Sequence, residues 1–111
     1  KPEDEEDAYK MLKMLSGKVH HVVSSIAVYD TENDCLLKNS VTSEVKFREI
    51  TDEEIKNYIK TGEPMDKAGA YGIQDRAAVF VEYIKGCYSN IVGICLSKLA
   101  NMLEQVGIKV I

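Results

Sequence analysis

No stretch of this 111-residue chain approaches the roughly 18 apolar residues that a membrane-spanning helix requires. The opening Lys1-Pro2-Glu3-Asp4 has neither the basic flank nor the apolar run of a secretory signal. The cytoplasm is therefore the expected compartment. Positive charge is also in short supply: 14 Lys and Arg stand against 18 Asp and Glu, for a net −4. That balance gives no general basic field for a nucleic-acid polymer, and leaves open a local cationic pocket. Cysteine is scarce and unpaired by pattern. Cys35, Cys87 and Cys95 include no C-x-x-C pair, and no histidines stand at zinc-finger spacing. They read as reduced thiols, small apolar fillers or half-exposed. Internal repeats and low-complexity segments are absent, and so is an initiator methionine, which leads us to expect further sequence upstream. What is present, 45% hydrophobic and 29% charged residues, suits one small globular domain.

The pattern along the chain is mixed. Asp4 to Leu15 carries Ala8, Met11, Leu12 and Leu15 on one helical face, with carboxylates in the first turn where the helix dipole favours them; Ser16-Gly17 ends it. The acidic run Glu3 to Asp7 reads as a solvated helix start rather than a metal site. Lys18 to Tyr29 alternates like an inner strand, and Asp30 to Asp34 is a polar turn. Cys35 to Val41 and Glu44 to Arg48 then return as one long or two short strands. Thr51-Asp52-Glu53-Glu54 is a capping box opening a helix with Ile55, Tyr58 and Ile59 inward, closed near Gly62. Ala77 to Ile84 reads as a strand centred on Val79-Phe80-Val81, Gly86 to Gly93 as a connection, and Ile94 to Val106 as a helix. The sum is an α/β unit with a mainly antiparallel sheet.

Unusual residues crowd into Thr61-Gly62-Glu63-Pro64-Met65-Asp66-Lys67-Ala68-Gly69-Ala70-Tyr71-Gly72-Ile73-Gln74. The glycines let backbone approach a ligand or take positive φ, and a helix beginning near Asp66 would aim amide groups at an anion. Lys67 adds a movable positive charge. Glu63 and Asp66 could hold a divalent metal or polarise a water, while Gln74 can donate to and accept from a nucleobase edge. The pattern is not a Walker loop, and a tight turn closed by an ion pair accounts for the same residues.

Those fourteen residues resemble the signature of the Maf, or septum-formation, family, close to T-G-E-P-x-D-K-A-G-A-Y-G-I-Q. The likeness runs along the whole chain. Lys1-Pro2 resembles the family's K-P pair. Ala8, Met11-Leu12 and Leu15-Ser16-Gly17 are similar to A-x-x-M-L-x-x-L-S-G. His20, Val22 and Ser24 resemble H-x-V-x-T, and Gly86 to Gly93 resembles G-x-Y-x-N-V-V-G. The resemblance implies a Maf-type (inosine triphosphate pyrophosphatase-like) α/β fold, a mixed twisted sheet with flanking helices, of which residues 1–111 are expected to form the carboxyl-terminal part of one domain. It also implies hydrolysis of a nucleoside triphosphate, dTTP, UTP or a modified nucleotide, to the monophosphate and pyrophosphate, with a divalent cation, usually Mg2+. Carried over by position, Lys1, Glu63, Asp66, Lys67 and Gln74 are candidate substrate-binding residues, with Glu63 and Asp66 as candidate metal ligands. Gln74 matches a base-selecting position, glutamine being associated with dTTP and UTP and glutamate with 7-methyl-GTP. Homodimerisation is a further implication.

The sequence also departs from that pattern. The family's S-x-S-P-R-R phosphate loop and its D-T-x-V strand are absent, so the catalytic aspartate is expected upstream; Asp30-Thr31 lies in a turn and does not replace it. Ser24 stands for threonine, and Asp75 and Cys95 stand where glycine and a proline-containing end are common. A catalytically incomplete nucleotide-binding or structural dimerisation module is the alternative reading. His20 and His21, adjacent on a strand, point to opposite faces and read as structural or solvent-facing rather than chelating. Tyr71, Tyr83 and Tyr88 read as packing at a cleft rim before base stacking. Lys46, Arg48, Lys56 and Lys60 read as a solvated face.

Overall fold

The computed structural model describes residues 1–111. Helix α1 (Glu5–Leu15) is opened by Asp4, whose carboxylate accepts from the Asp7 amide at 2.8 Å, and it buries Ala8 and Leu12, one turn apart. Gly17, at φ +69°, turns the chain away and donates its amide to the Arg48 carbonyl at 3.0 Å. Strand β1 (Val19–Asp30) and strand β2 (Cys35–Phe47) form one uninterrupted hairpin. The Phe47 amide donates to the Lys18 carbonyl at 3.0 Å; in that register Val22 lies opposite Ser43, and Ser24 opposite Val41. Asp30 organises the turn by accepting from the Glu32 amide at 3.1 Å and from the Asn33 side chain at 2.8 Å.

Helix α2 (Asp52–Lys60) carries the predicted capping box. The Thr51 hydroxyl accepts from the Glu54 amide and the Glu54 carboxylate accepts from the Thr51 amide, both at 3.1 Å. Ile55, Tyr58 and Ile59 are buried, as expected. Strand β3 (Val81–Lys85) completes an antiparallel sheet of order β1-β2-β3. Helices α3 (Tyr88–Val92) and α4 (Leu96–Gln105) follow.

Three sequence expectations change. Arg76–Phe80 is a 3-10 helix, and the strand starts only at Val81. Ala77 and Phe80 are buried three residues apart while Val79 is 67% exposed. That is a three-residue period, which a run of apolar residues hides from an alternation test. The predicted connection Gly86–Gly93 contains α3, and the last helix begins at Leu96 rather than Ile94.

The chain divides into two compact units. One comprises residues 1–20 and 44–84, with a core of Leu12, Val45, Phe47, Ile55, Tyr58, Ile59 and Phe80. The other comprises residues 21–43 and 85–111, where Ile26, Cys95 and Met102 are buried beneath Val28, Leu37, Val41, Cys87 and Leu99.

Candidate functional site: the loop from Thr61 to Arg76

Gly62, at φ +80°, closes α2 and starts the loop, which belongs wholly to the first unit. The Thr61 hydroxyl donates to the Tyr58 carbonyl at 2.6 Å and accepts from the Glu63 amide at 3.2 Å. A 3-10 turn, Glu63–Asp66, buries Pro64 near its start, where proline's fixed φ suits a helical first turn. A second, Ala68–Ala70, contains two successive left-handed residues, Gly69 at φ +74° and Ala70 at φ +70°. Glycine takes that geometry freely, whereas Ala70 stores roughly 1–2 kcal/mol of strain. Burial of its methyl group and an amide bond to the Lys67 carbonyl at 3.0 Å hold it there. No α-helix begins at Asp66, contrary to the sequence expectation. Glycine and proline break the run, and the Lys67 and Ala70 amides are spent on the turns themselves.

Tyr71 anchors the loop's far end. Its hydroxyl meets His20 Nε2 at 2.6 Å, and its ring stands edge-on to His20 and Phe47, with centroids 5.5 and 4.8 Å away. Burial pushes the Tyr71 phenol up to about 12, so it is protonated at neutral pH. His20 thus holds Tyr71 in place, a structural role of the kind the sequence suggested.

Charge pairs close the loop. Lys67 Nζ lies 3.3 Å from Asp75 Oδ2, and Arg76 Nη1 lies 3.3 Å from Glu63 Oε1. The Arg76 amide donates to the other Glu63 oxygen at 3.4 Å. Gly72 sits beneath the first pair: a Cβ there would come 2.8 Å from Asp75 Oδ2 and 3.3 Å from Lys67 Cε. Tyr58 is 4% exposed, with the Glu63 carboxylate and the Gly72 backbone beside its hydroxyl. Burial first, and then the charge of Glu63, push that phenol up to about 12.

Glu63, Asp66, Lys67 and Gln74 therefore share one loop, Glu63 and Lys67 half-buried, Asp66 and Gln74 exposed. Lys1 is exposed at the start of the chain, outside that loop. Sequence reasoning missed Arg76 as the partner of Glu63 and Asp75 as the partner of Lys67; the charged dipeptide directly after the signature was the available signal. It also misread Arg48. That side chain is no solvated charge: its guanidinium grips Glu54 at 2.8 and 3.1 Å, donates to the Val79 carbonyl at 2.9 Å, and lies 5.5 Å over the Phe80 ring. Lys46 pairs with Glu82 at 3.2 Å.

A family model described as Maf-like protein matches residues 1–106. The chain belongs to the Maf family. Among curated relatives, a protein of Clostridium botulinum strain Eklund 17B named dTTP/UTP pyrophosphatase is 55% identical over 105 residues, covering 95% of this chain and 56% of the relative. One of Ruminiclostridium cellulolyticum with the same name is 54% identical over 111 residues, 100% of this chain and 58% of the relative. One of Clostridium beijerinckii, also so named, is 52% identical over 106 residues. The chain thus spans a little over half the length of these relatives. Maf membership gives Asn90, in the second unit, a structural meaning. Its side-chain amide donates to the Val22 and Val41 carbonyls at 3.2 and 3.1 Å and to the Ser43 hydroxyl at 3.0 Å, while its oxygen accepts from Ser24. The Maf segment around Asn90 is therefore a pin through the β-hairpin.

Proposed function

We propose that this Maf chain forms part of a nucleoside triphosphate pyrophosphatase that acts on dTTP and UTP in the cytoplasm, releasing the monophosphate and pyrophosphate. The observation that carries this reading is identity of 50–55% with proteins named dTTP/UTP pyrophosphatase, with Thr61 to Gln74 gathered in one loop of the first unit.

In this reading Lys67 and Lys1 meet the negative charge of the triphosphate, and Gln74 reads the base. An amide donates and accepts, which suits the alternating edge of uracil or thymine; a carboxylate only accepts. Glu63 and Asp66 stand at i and i+3 of a 3-10 turn, a spacing that places side chains on one face. No group of three or more acidic, histidine or cysteine side chains forms a metal cage. Two carboxylates still fit Mg2+, which takes one or two protein oxygens and fills the rest with water and phosphate. Such a cation would neutralise charge on the triphosphate as pyrophosphate leaves.

The test is pyrophosphate release from dTTP, UTP and 7-methyl-GTP with Mg2+, using the 111-residue chain beside a version extended upstream. Turnover of dTTP and UTP by the extended form supports the reading; a folded extended form that turns over none of the three sinks it. A binding or dimerisation module is the second reading, favoured by Val23, Tyr29 and Leu36, which stand 61%, 56% and 50% exposed on the hairpin. It requires a nucleotide-independent oligomer.

A further inference from the structure

We infer that Asp75 is a positioning residue that competes with the anionic ligand for Lys67, so that the triphosphate must draw this lysine from a carboxylate already holding it. The inference rests on the proposed function, in which Lys67 contacts phosphate. The Lys67 ammonium and the Asp75 carboxylate are 3.3 Å apart, and their side chains are 39% and 40% exposed. The pair is therefore half in solvent, within reach of an incoming anion and weak enough to open.

Gly72 is what lets the pair close. The space a Cβ would fill is taken by Asp75 Oδ2 at 2.8 Å and by the Lys67 stem at 3.3 Å. The backbone is kept bare at this point so that lysine and aspartate fold over it. Asp75 also carries the wrong sign for a phosphate site: an anion bound at Lys67 meets a second negative charge a few ångströms away. The neighbouring acid, Glu63, is occupied by Arg76, which leaves Asp75 as the carboxylate whose partner is the candidate ligand-binding lysine. Such a competitor lowers affinity for every anion that uses Lys67, and returns the lysine to a defined position when the anion departs.

The experiment is calorimetric titration of UTP with Mg2+ into the full chain and into Asp75→Asn, Asp75→Glu, Lys67→Ala and the Lys67→Ala/Asp75→Asn double variant. Asparagine keeps the shape and removes the charge. With the competitor gone, affinity for UTP should rise about two- to fivefold, the range that half-exposed ion pairs give, while Asp75→Glu stays near wild type. In the Lys67→Ala background the Asp75→Asn gain should shrink to less than half, a dependence that a merely structural role would not produce. UTP binding by the wild type with no gain in Asp75→Asn, or an undiminished gain without Lys67, overturns the inference and leaves the proposed function standing. No UTP binding by the wild type overturns the inference as well, and the proposed function falls only if the extended form turns over none of the three nucleotides.

Discussion

Asn90 shows how much one buried amide can hold. Three acceptors converge on its nitrogen, and the register of the hairpin sets two of them on facing residues, Val22 and Ser43. Asn90→Asp keeps the shape and exchanges the donor for an acceptor, turning the two carbonyl contacts into repulsions. It should lower unfolding stability by about 3 kcal/mol or more, read from the denaturant midpoint; a loss below about 1 kcal/mol would show that the network is dispensable. Glycines of the loop separate strain from sterics. Gly69 is left-handed with open space around its missing Cβ, so Gly69→Ala should cost roughly 1–2 kcal/mol through backbone strain alone. Gly72→Ala, with no left-handed φ, meets only movable side-chain ends and should disturb the Lys67–Asp75 pair far more than the fold. Thermal melts of both variants check the contrast. Cys87 gives a pH signature in the second unit. Contact with the Cys95 thiol, then the Ser89 hydroxyl and the Asn90 amide, lowers its thiol to about 7. Its alkylation by iodoacetamide, followed residue by residue by mass spectrometry, should rise with pH through a midpoint near that value.

Helix α2 is the element whose sequence and structure agree most closely, because its signals are local. Thr51 and Glu54 are three residues apart and need nothing distant to form their box. Arg48 adds what the pattern did not reveal: its fork and the Thr51 amide hold the Glu54 carboxyl at about 2, below its ordinary 4.5. A carboxyl lowered in the folded state contributes stability that is fully present above pH 4.5 and is lost as pH falls toward 2. The melting temperature of Glu54→Gln should therefore fall less steeply than wild type across that window, and parallel slopes would show that the fork adds nothing. The hairpin was legible too, since a β-like run and an acidic turn are visible without the fold, although apolar residues on both faces suggested an inner strand and β1 lies at the edge of the sheet. Arg76–Phe80 was not: Val79-Phe80-Val81 has the composition of a strand, and the Val79 carbonyl accepts from the Arg48 guanidinium thirty-one residues away, a partner the local pattern does not reveal. The site divides in the same way. That Glu63, Lys67 and Gln74 share one loop was readable from their signature. What holds them was not, because Glu63–Arg76 and Lys67–Asp75 become neighbours only once two 3-10 turns and Gly72 bring the chain back on itself.

For the whole molecule, the question is whether a chain spanning a little over half its relatives' length retains a ligand-competent loop. The loop lies within one unit and is clamped by contacts internal to that unit: His20 with Tyr71, Glu63 with Arg76, and the burial of Pro64 and Ala70. These contacts fall within residues 1–20 and 44–84. A ligand of the native state stabilises by RT ln(1 + [L]/Kd), about 2.7 kcal/mol at a hundredfold excess over Kd. In a domain near a hundred residues that amounts to a rise of roughly 10 °C or more in Tm. UTP with Mg2+ should produce a rise of this order, and 7-methyl-GTP a smaller one. Lys67→Ala should diminish the UTP shift. Gln74→Glu should diminish it as well, while leaving the unliganded Tm nearly unchanged, because Gln74 is exposed and a surface substitution costs within about 0.5 kcal/mol. A UTP shift equal in wild type and Gln74→Glu would place base recognition elsewhere. Equal shifts in wild type and Lys67→Ala would remove the loop lysine from the phosphate site, and the ion pair with Asp75 would then be a purely structural closure of the turn.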